Sequence, residues 1–362
     1  MNAYKFRLTL ICVLILTGSI FTSKSVTASS AECQVPADFP PAEFGVNWSP
    51  QLEGNLNAVA LSPDGMMLAA STNTMIYLYD PQTLTELTRL EQKDKFSGGY
   101  PLAWSPDGTK LATFVSPTLG IYIWDVAQQK VSKILVLPGD APEAISYSLA
   151  WSPDGTKIAI SGIERLQTRV WDVEHEKIIY QDAVDTTVIP DSSYGTSSTI
   201  IWSSDGKYLI FPKYGSFIYI LETSSWTQVG ESLSTGMRNI LGLAWSDKGY
   251  LAAVGDNYSI LVWDTTTWKL SEMPGSDEFQ QGFGVSWSPD GTLLAVGRTN
   301  VVEIIDVAQS KIVQRLPEHS APVYDLIWLP DHQMITRSRD GWVYRWNLDT
   351  ECIEAAVQIV QE

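Results

Sequence analysis

Ser105-Pro106-Asp107-Gly108, which directly follows Trp104, is the stretch of sequence that decides the fold. The proline fixes φ near −65° at the second position of a tight turn, and the aspartate tolerates the third position. The glycine takes the left-handed φ that ends a type I hairpin turn. Strand-like residues lie on both sides, so the stretch predicts an antiparallel hairpin.

This turn recurs seven times, as four full and three degenerate copies. The copies begin at Ser62, Ser105, Ser152, Ser203, Ser246, Ser288 and Leu329. A second marker, an apolar residue followed by Asp, Glu or Asn, trails each turn at a nearly constant distance. It reads Tyr79-Asp80, Trp124-Asp125, Trp171-Asp172, Leu221-Glu222, Trp263-Asp264, Ile305-Asp306 and Trp346-Asn347. Two markers that keep register seven times indicate a true repeat.

Each unit has room for four short strands. In the second unit, Trp104 precedes the turn, and further strands are expected at Leu111–Val115, Ile121–Trp124 and near Lys130–Leu137. Four antiparallel strands in about 40–45 residues are typical of one propeller blade. The sequence therefore predicts an all-β fold, a seven-bladed β-propeller of four-stranded antiparallel blades.

Ser-Pro-Asp-Gly followed by Ile-Trp-Asp or Val-Trp-Asp resembles the WD-repeat β-propeller family, and the resemblance runs from about Asn55 to Val357. It implies seven blades around a central channel and a rigid platform for partner proteins. Periplasmic propellers with Pro-Asp repeats share the turn, but the Trp-Asp pairs and the count of seven favour the first family. The chain is read as a secreted, divergent member.

The family's hydrogen-bond network, from a His through an Asp to the Trp, is expected in blade seven alone, with His319, Asp340 and Trp346. At the Asp position the other six blades hold Asn73, Thr118, Arg165, Gly215, Asn257 and Thr299. The resemblance therefore implies that those blades depend on packing and on turn chemistry.

Tryptophan is unusually frequent, with 14 residues. Ten of them lie either directly before the repeated turn, which is called the first marker position, or within the second marker. Burial between blades is expected to stabilise the fold at both positions. The structural set at the first marker is Trp104, Trp151, Trp202, Trp245, Trp287 and Trp328. Trp226 and Trp268 fall outside both markers, so exposure, and with it sugar binding, is an alternative for these two.

The N-terminal residues have the layout of a secretory signal peptide. An apolar stretch, Leu8–Phe21, follows two basic residues and is shorter than the 18–20 residues that span a bilayer. Small residues allow cleavage after Ala28 or Ala31; an uncleaved anchor is the alternative. We predict a signal peptide at 1–31, an N-terminal segment at 32–54, the propeller at 55–357 and a tail at 358–362. The product is expected to be periplasmic or extracellular, with no membrane insertion after cleavage.

Cleavage would leave Cys33 and Cys352. Exported thiols tend to pair, and the two ends of a closed ring can lie close together. A disulfide is therefore predicted between them; two unpaired buried thiols are the alternative.

The composition excludes several classes of function. The chain has 24 Lys+Arg against 41 Asp+Glu, a net charge of −17, which argues against nucleic acid and against anionic membrane surfaces. Three His and three Cys make a zinc cluster improbable, and neither a hydrolase elbow nor a phosphate-binding Gly-rich loop is present. No cofactor, metal or catalytic residue is predicted. The repeated Asp could indicate paired carboxylates or calcium, but turn residues are the stronger reading.

Long connectors offer the candidate binding surface, because recognition residues concentrate on loops that a rigid scaffold holds. Glu91–Pro101, Pro138–Ser146 and Asp182–Ser198 each link a fourth strand to the next first strand, so they share one rim. The candidate partner-binding residues on this rim are Lys93, Lys95, Tyr100, Tyr194, Arg337 and Arg339, with Arg345 adding to a basic cluster in blade seven. The alternative is an ordinary solvated surface.

Three functions remain open. The first, which leans on the family resemblance, is a monomeric, exported, non-catalytic protein-interaction platform with a protein partner. The second is a propeller hydrolase or lyase, which requires three or more acidic side chains that converge at the channel mouth. The third is a carbohydrate-binding surface module that uses Trp226 or Trp268.

Overall fold

The structure, a computed structural model, describes residues 56–72, 75–91, 101–115, 120–137, 148–163, 167–182, 199–213, 216–274, 281–317 and 319–359. These residues form strands β1 to β29 in seven antiparallel sheets, and no helix occurs among them. The predicted fold class, an all-β seven-bladed propeller, is confirmed. The predicted signal peptide and the segment at 32–54 lie outside the described residues.

Within a blade, consecutive strands are neighbours in the sheet. Blade one contains β1 (Ala58–Leu61), β2 (Leu68–Ser71), β3 (Met75–Tyr79) and β4 (Glu86–Glu91). Blade two contains β5 (Leu102–Trp104), β6 (Lys110–Val115), β7 (Gly120–Asp125) and β8 (Lys130–Val136). Blade three contains β9 (Ser148–Trp151), β10 (Lys157–Ile163), β11 (Gln167–Asp172) and β12 (Lys177–Gln181).

The other four blades follow the same order. Blade four contains β13 (Ile201–Trp202), β14 (Tyr208–Lys213), β15 (Phe217–Glu222), β16 (Thr227–Gln228) and β17 (Leu233–Ser234). Blade five contains β18 (Ile240–Ser246), β19 (Tyr250–Gly255), β20 (Ile260–Asp264) and β21 (Leu270–Met273). Blade six contains β22 (Gly284–Trp287), β23 (Leu293–Gly297), β24 (Val302–Asp306) and β25 (Lys311–Leu316). Blade seven contains β26 (Val323–Leu329), β27 (Gln333–Ser338), β28 (Trp342–Asn347) and β29 (Cys352–Gln358).

Blade four departs from the four-strand pattern, because its outer strand is broken in two. Both β16 and β17 pair with β15. Between them, Gly230 has φ 63°, a left-handed conformation that interrupts an extended strand. The Val229 N–H still donates to the Ile220 carbonyl at 2.8 Å, so the interruption is local.

The repeated turn is built by its own side chains. In blade two, the Ser105 hydroxyl donates to Asp107 Oδ1 at 2.5 Å, and the same oxygen accepts the Thr109 N–H at 3.0 Å. These two bonds hold the pKa of Asp107 below its usual value. Gly108 has φ 70°, and a Cβ there would lie 3.7 Å from Pro63 of blade one, so turns of successive blades touch.

The acidic residue of the second marker also caps a turn. Asp80 Oδ1 accepts the N–H groups of Gln82 and Thr83 at 2.7 and 2.9 Å. The residue that closes this turn has a positive φ in every blade; these residues are Leu84, Gln129, Glu176, Trp226, Trp268, Ser310 and Glu351. The recurring carboxylates therefore support local backbone structure.

The first-marker indoles connect neighbouring blades. Each of five donates its Nε1–H to a backbone carbonyl of the preceding blade at 2.9–3.2 Å: Trp104 to Ala60, Trp151 to Ala103, Trp202 to Ala150, Trp287 to Ala244 and Trp328 to Ser286. Trp245 is half-buried and packs against Tyr208. Blade one has Leu61 at this position, so no tryptophan occupies it at the junction with blade seven.

Blades one and seven therefore close the ring by other means. Each is formed by one continuous stretch of chain, and neither sheet takes a strand from the other among the described residues. Apolar side chains fill the space between them, including Val59 and Leu68 of blade one and Ile335 and Val343 of blade seven. We call this junction the closing seam.

Candidate functional site

Residues in the first strands of the blades, or directly before them, surround a central cavity of about 550 Å³. Pro101, Ser148 and Thr199 line it and lie at the ends of the three long connectors that the sequence singled out. The mouth of this channel and the predicted binding rim therefore belong to the same face of the ring.

The channel wall is largely apolar, with Leu102, Leu149 and Val285 among its residues. Along the described lining, the charged side chains are Asp325 and Arg337. The described lining contains one carboxylate, whereas the enzyme hypothesis predicts three or more acidic side chains at the channel mouth.

Arg337 and Asp325 form an ion pair in the wall, with Nε 2.5 Å from Oδ2. The same Oδ2 accepts the Val59 N–H at 3.0 Å, and Arg337 Nη1 donates to the Leu56 carbonyl at 3.2 Å. The guanidinium also lies over the Tyr324 ring, 5.1 Å from its centroid. The pair thus joins blade seven to the backbone of blade one at the closing seam.

The other arginines of blade seven lie apart from Arg337. Arg339 is exposed in the turn between β27 and β28, and its N–H donates to the Pro322 carbonyl. Arg345 pairs with Glu354 at 2.7 Å and donates to Gln82 of blade one at 2.9 Å. The structure thus places Arg345 in a second contact across the closing seam.

The remaining candidates for the rim, Lys93, Lys95, Tyr100 and Tyr194, lie outside the described residues. The same holds for Cys33, so its pairing with Cys352, the first residue of β29, stays a prediction.

The blade-seven network contains a residue that the sequence analysis missed. Thr336 Oγ1 accepts the Trp346 indole N–H at 2.9 Å and lies 2.7 Å from His319 Nε2. His319 Nδ1 faces Asp340 Oδ2 at 4.0 Å. The signal was a hydroxyl two residues after the buried Met334 of β27. Thr113 holds the equivalent position in blade two, so the residue type alone did not distinguish blade seven.

His319 is buried in this network, and burial lowers its pKa to about 4. The ring is therefore neutral at pH 7. Thr336 Oγ1, which accepts from Trp346, shares a hydrogen bond with His319 Nε2, and the direction of that bond follows the tautomer of the ring. The ring also packs against Tyr344, with centroids 4.6 Å apart. This environment suits a structural role for His319 in blade seven.

The two tryptophans that were candidates for sugar binding are partly buried. Trp226 stacks on Tyr180 of blade three at 5.3 Å, and its ring meets Trp202 edge to face at 6.3 Å. Trp268 packs against the apolar cluster between blades four and five. One face of Trp226 is therefore covered, which weighs against its use as a sugar platform.

Two further searches cover the described part of the chain only. There, no three His, Cys, Asp or Glu side chains come together in a way that could hold a metal ion. No helix in those residues has the length and apolar character needed to cross a bilayer.

Comparison with known proteins agrees with this architecture. The family model described as "WD domain, G-beta repeat" matches residues 48–80 and 310–347. WD repeat-containing protein 1 of Bos taurus is 35% identical over 103 residues, which are 28% of this chain and 17% of the relative. The same protein of Xenopus tropicalis is 35% identical over 104 residues, 28% of this chain and 17% of the relative. The Gallus gallus protein is 33% identical over 107 residues, 29% of this chain and 17% of the relative.

The matched stretch thus spans about a sixth of each of these relatives. Among the described residues, the first matching segment covers β1 to β3 of blade one, and the second runs from β25 of blade six through β28 of blade seven. Together with the seven blades, these matches support a WD-repeat propeller.

Proposed function

We propose that this WD-repeat propeller is an exported, non-catalytic platform that binds a protein partner on the rim around the channel mouth. The observation that carries the proposal is the chemistry of the channel: an apolar wall whose only described carboxylate, that of Asp325, is already held by Arg337. Such a wall supplies a shaped surface and few groups for acid–base catalysis. Scaffold propellers are the closest functional analogy, and analogy of fold alone does not determine function.

The rim supports recognition because its connectors vary in sequence and length. Long connectors there differ between blades, whereas the opposite face repeats the same turn in each unit. Arg339 is exposed on the rim in a chain whose net charge is −17. A cation in acidic surroundings is well placed to orient an acidic partner residue.

Reversal of the charge on this rim is expected to weaken capture of the partner. R339E should reduce recovery of the complex from the exported fraction on the order of tenfold, because a favourable charge contact becomes a like-charge one. The matched control is K207E, which makes the same reversal at an exposed lysine in a turn on the opposite face. Quantitative cross-linking and pull-down measure both. Equal recovery with the two variants, or turnover of small substrates by the purified protein, would contradict the platform.

Export predicts a defined mature terminus. N-terminal sequencing of the protein recovered outside the cytoplasm should begin at Ser29 or at Glu32, which follow the two candidate cleavage positions. A mature protein that retains Met1, or one found only in the cytoplasm, would be evidence against a cleaved signal peptide.

A further inference from the structure

We propose that the channel mouth binds a guanidinium or ammonium group, carried by a side chain of the docked polypeptide, with Asp325 Oδ1 as its acceptor. This inference rests on the proposed function, since it names what the partner inserts. Its groups are Asp325, the aromatic pair of Phe283 and Tyr324, and the aliphatic channel wall.

Among the described residues, one oxygen of Asp325 accepts hydrogen bonds and the other accepts none. The bonds from Val59 N–H and from Arg337 Nε both go to Oδ2. Its side chain is 28% exposed and lines the cavity. An ionised carboxylate offers about four acceptor sites on two oxygens. Oδ1 can therefore accept from a ligand while Oδ2 keeps the closing seam intact.

Arg337 does not present its charge to the cavity in the same way. Its side chain is 8% exposed, its Nε and Nη1 donate to protein acceptors, and its plane lies over Tyr324. The ion pair thus shows its carboxylate side to the channel.

Blade six contains a complete example of the arrangement. Glu303 receives Arg298 on Oε2 at 3.0 Å and Arg315 on Oε1 at 3.2 Å, so one carboxylate holds two guanidinium groups. Asp325 reproduces one half of this geometry, with Arg337 on Oδ2. A second cation on Oδ1 would complete it.

The surroundings of Asp325 suit such a group. Phe283 and Tyr324 pack edge to face with centroids 5.3 Å apart, and both line the cavity. Arg337 already lies over the Tyr324 ring, so Phe283 is the ring that a second cation would contact, since aromatic faces attract guanidinium and ammonium groups. Aliphatic walls accommodate the alkyl stem of Lys or Arg. The net charge of −17 favours the approach of a cation.

The test is a titration of the exported protein with two peptides, followed by methyl NMR of Leu102, Leu149 and Val285. Acetyl-Gly-Arg-Gly-amide should shift these signals. The citrulline counterpart, which has nearly the same shape and no charge, should bind at least tenfold more weakly. Equal binding of the two peptides, or shifts confined to residues outside the channel, would overturn the proposal.

Variants separate the groups involved. D325N should weaken the arginine peptide at least tenfold, whereas D256N, a carboxylate change on the same face but outside the cavity lining, should leave it unchanged. Because Asp325 also supports the closing seam, F283A provides a second variant that keeps the ion pair and should weaken binding several-fold. If neither D325N nor F283A weakens binding, the site is wrong.

Free arginine distinguishes the source of the cation. If it binds as tightly as the tripeptide, the site takes a small cation and the polypeptide part of the proposal is wrong. Capture of a partner that no excess of arginine peptide disturbs would overturn this inference and leave the platform standing. Specific binding of the arginine peptide without any captured partner would support the cation site and count against the platform.

Discussion

Replacement of Arg337 by Met is expected to lower the free energy of unfolding by about 1.5–3 kcal/mol, the range for hydrogen bonds to a charged group. The substitution leaves the carboxylate of Asp325 without its guanidinium and removes the donor to the Leu56 carbonyl. Met keeps much of the apolar stem, so the loss reports the charge and its hydrogen bonds. Chemical denaturation followed by tryptophan fluorescence measures it.

The effect is expected to be large because of where Arg337 lies. Blades one and seven share no strand among the described residues, and Leu61 takes the place that a tryptophan holds at the six other junctions. The Arg337–Asp325 pair and the contact of Arg345 with Gln82 are polar ties across this seam. A weaker closing seam therefore destabilises both the first and the last blade of the propeller.

R315M is the matched control. Arg315 also pairs with a carboxylate, that of Glu303, but its side chain is 52% exposed. Solvent screens such a pair, so the expected loss is under about 1 kcal/mol. Losses of equal size in R337M and R315M would show that the closing seam has no special weight. An R337M protein as stable as the wild type would also show that the Arg337–Asp325 pair does not stabilise the closing seam.

These residues also mark the limit of what the sequence could predict. Turn and strand positions were predictable, because Ser105, Asp107 and Gly108 determine their hairpin through bonds within six residues of chain. The repetition of that unit then implies the ring. The role of Arg337 was not predictable. Its ion-pair partner, Asp325, binds the Val59 N–H, and these two residues are 266 positions apart in the sequence. From the sequence alone, a basic residue near a rim is interpreted as a binding residue, and its partner within the protein becomes known only from the fold.

Blade four shows the same limit on a smaller scale. Its two markers, at Ser203 and Leu221-Glu222, correctly place the blade. The break in its outer strand depends on the left-handed Gly230, and a lone glycine in a polar stretch does not specify whether the chain turns there. Local signals therefore predict the elements well, and contacts between blades decide which side chains are left for binding.

Replacement of Thr336 by Val is expected to lower the free energy of unfolding by about 2–4 kcal/mol, because each buried polar group left without a partner costs about 1–3 kcal/mol. Valine has nearly the same shape, so packing is kept. The indole N–H of Trp346 and Nε2 of His319 both lose their partner. Chemical denaturation measures the loss, and tryptophan fluorescence also reports a change at Trp346.

T113V tests whether this cost belongs to the network of blade seven. Thr113 is equally buried and occupies the equivalent position of blade two, opposite Tyr122 as Thr336 is opposite Tyr344. In blade two the nearby indole N–H of Trp124 has no hydrogen-bond partner in the described structure, so Thr113 does not join an indole to a histidine. The same substitution there should cost under about 1 kcal/mol, since the indole N–H has no acceptor at this position to lose. If T113V costs as much as T336V, the loss comes from a hydroxyl in a buried strand, and the His319–Thr336–Trp346 chain contributes nothing of its own.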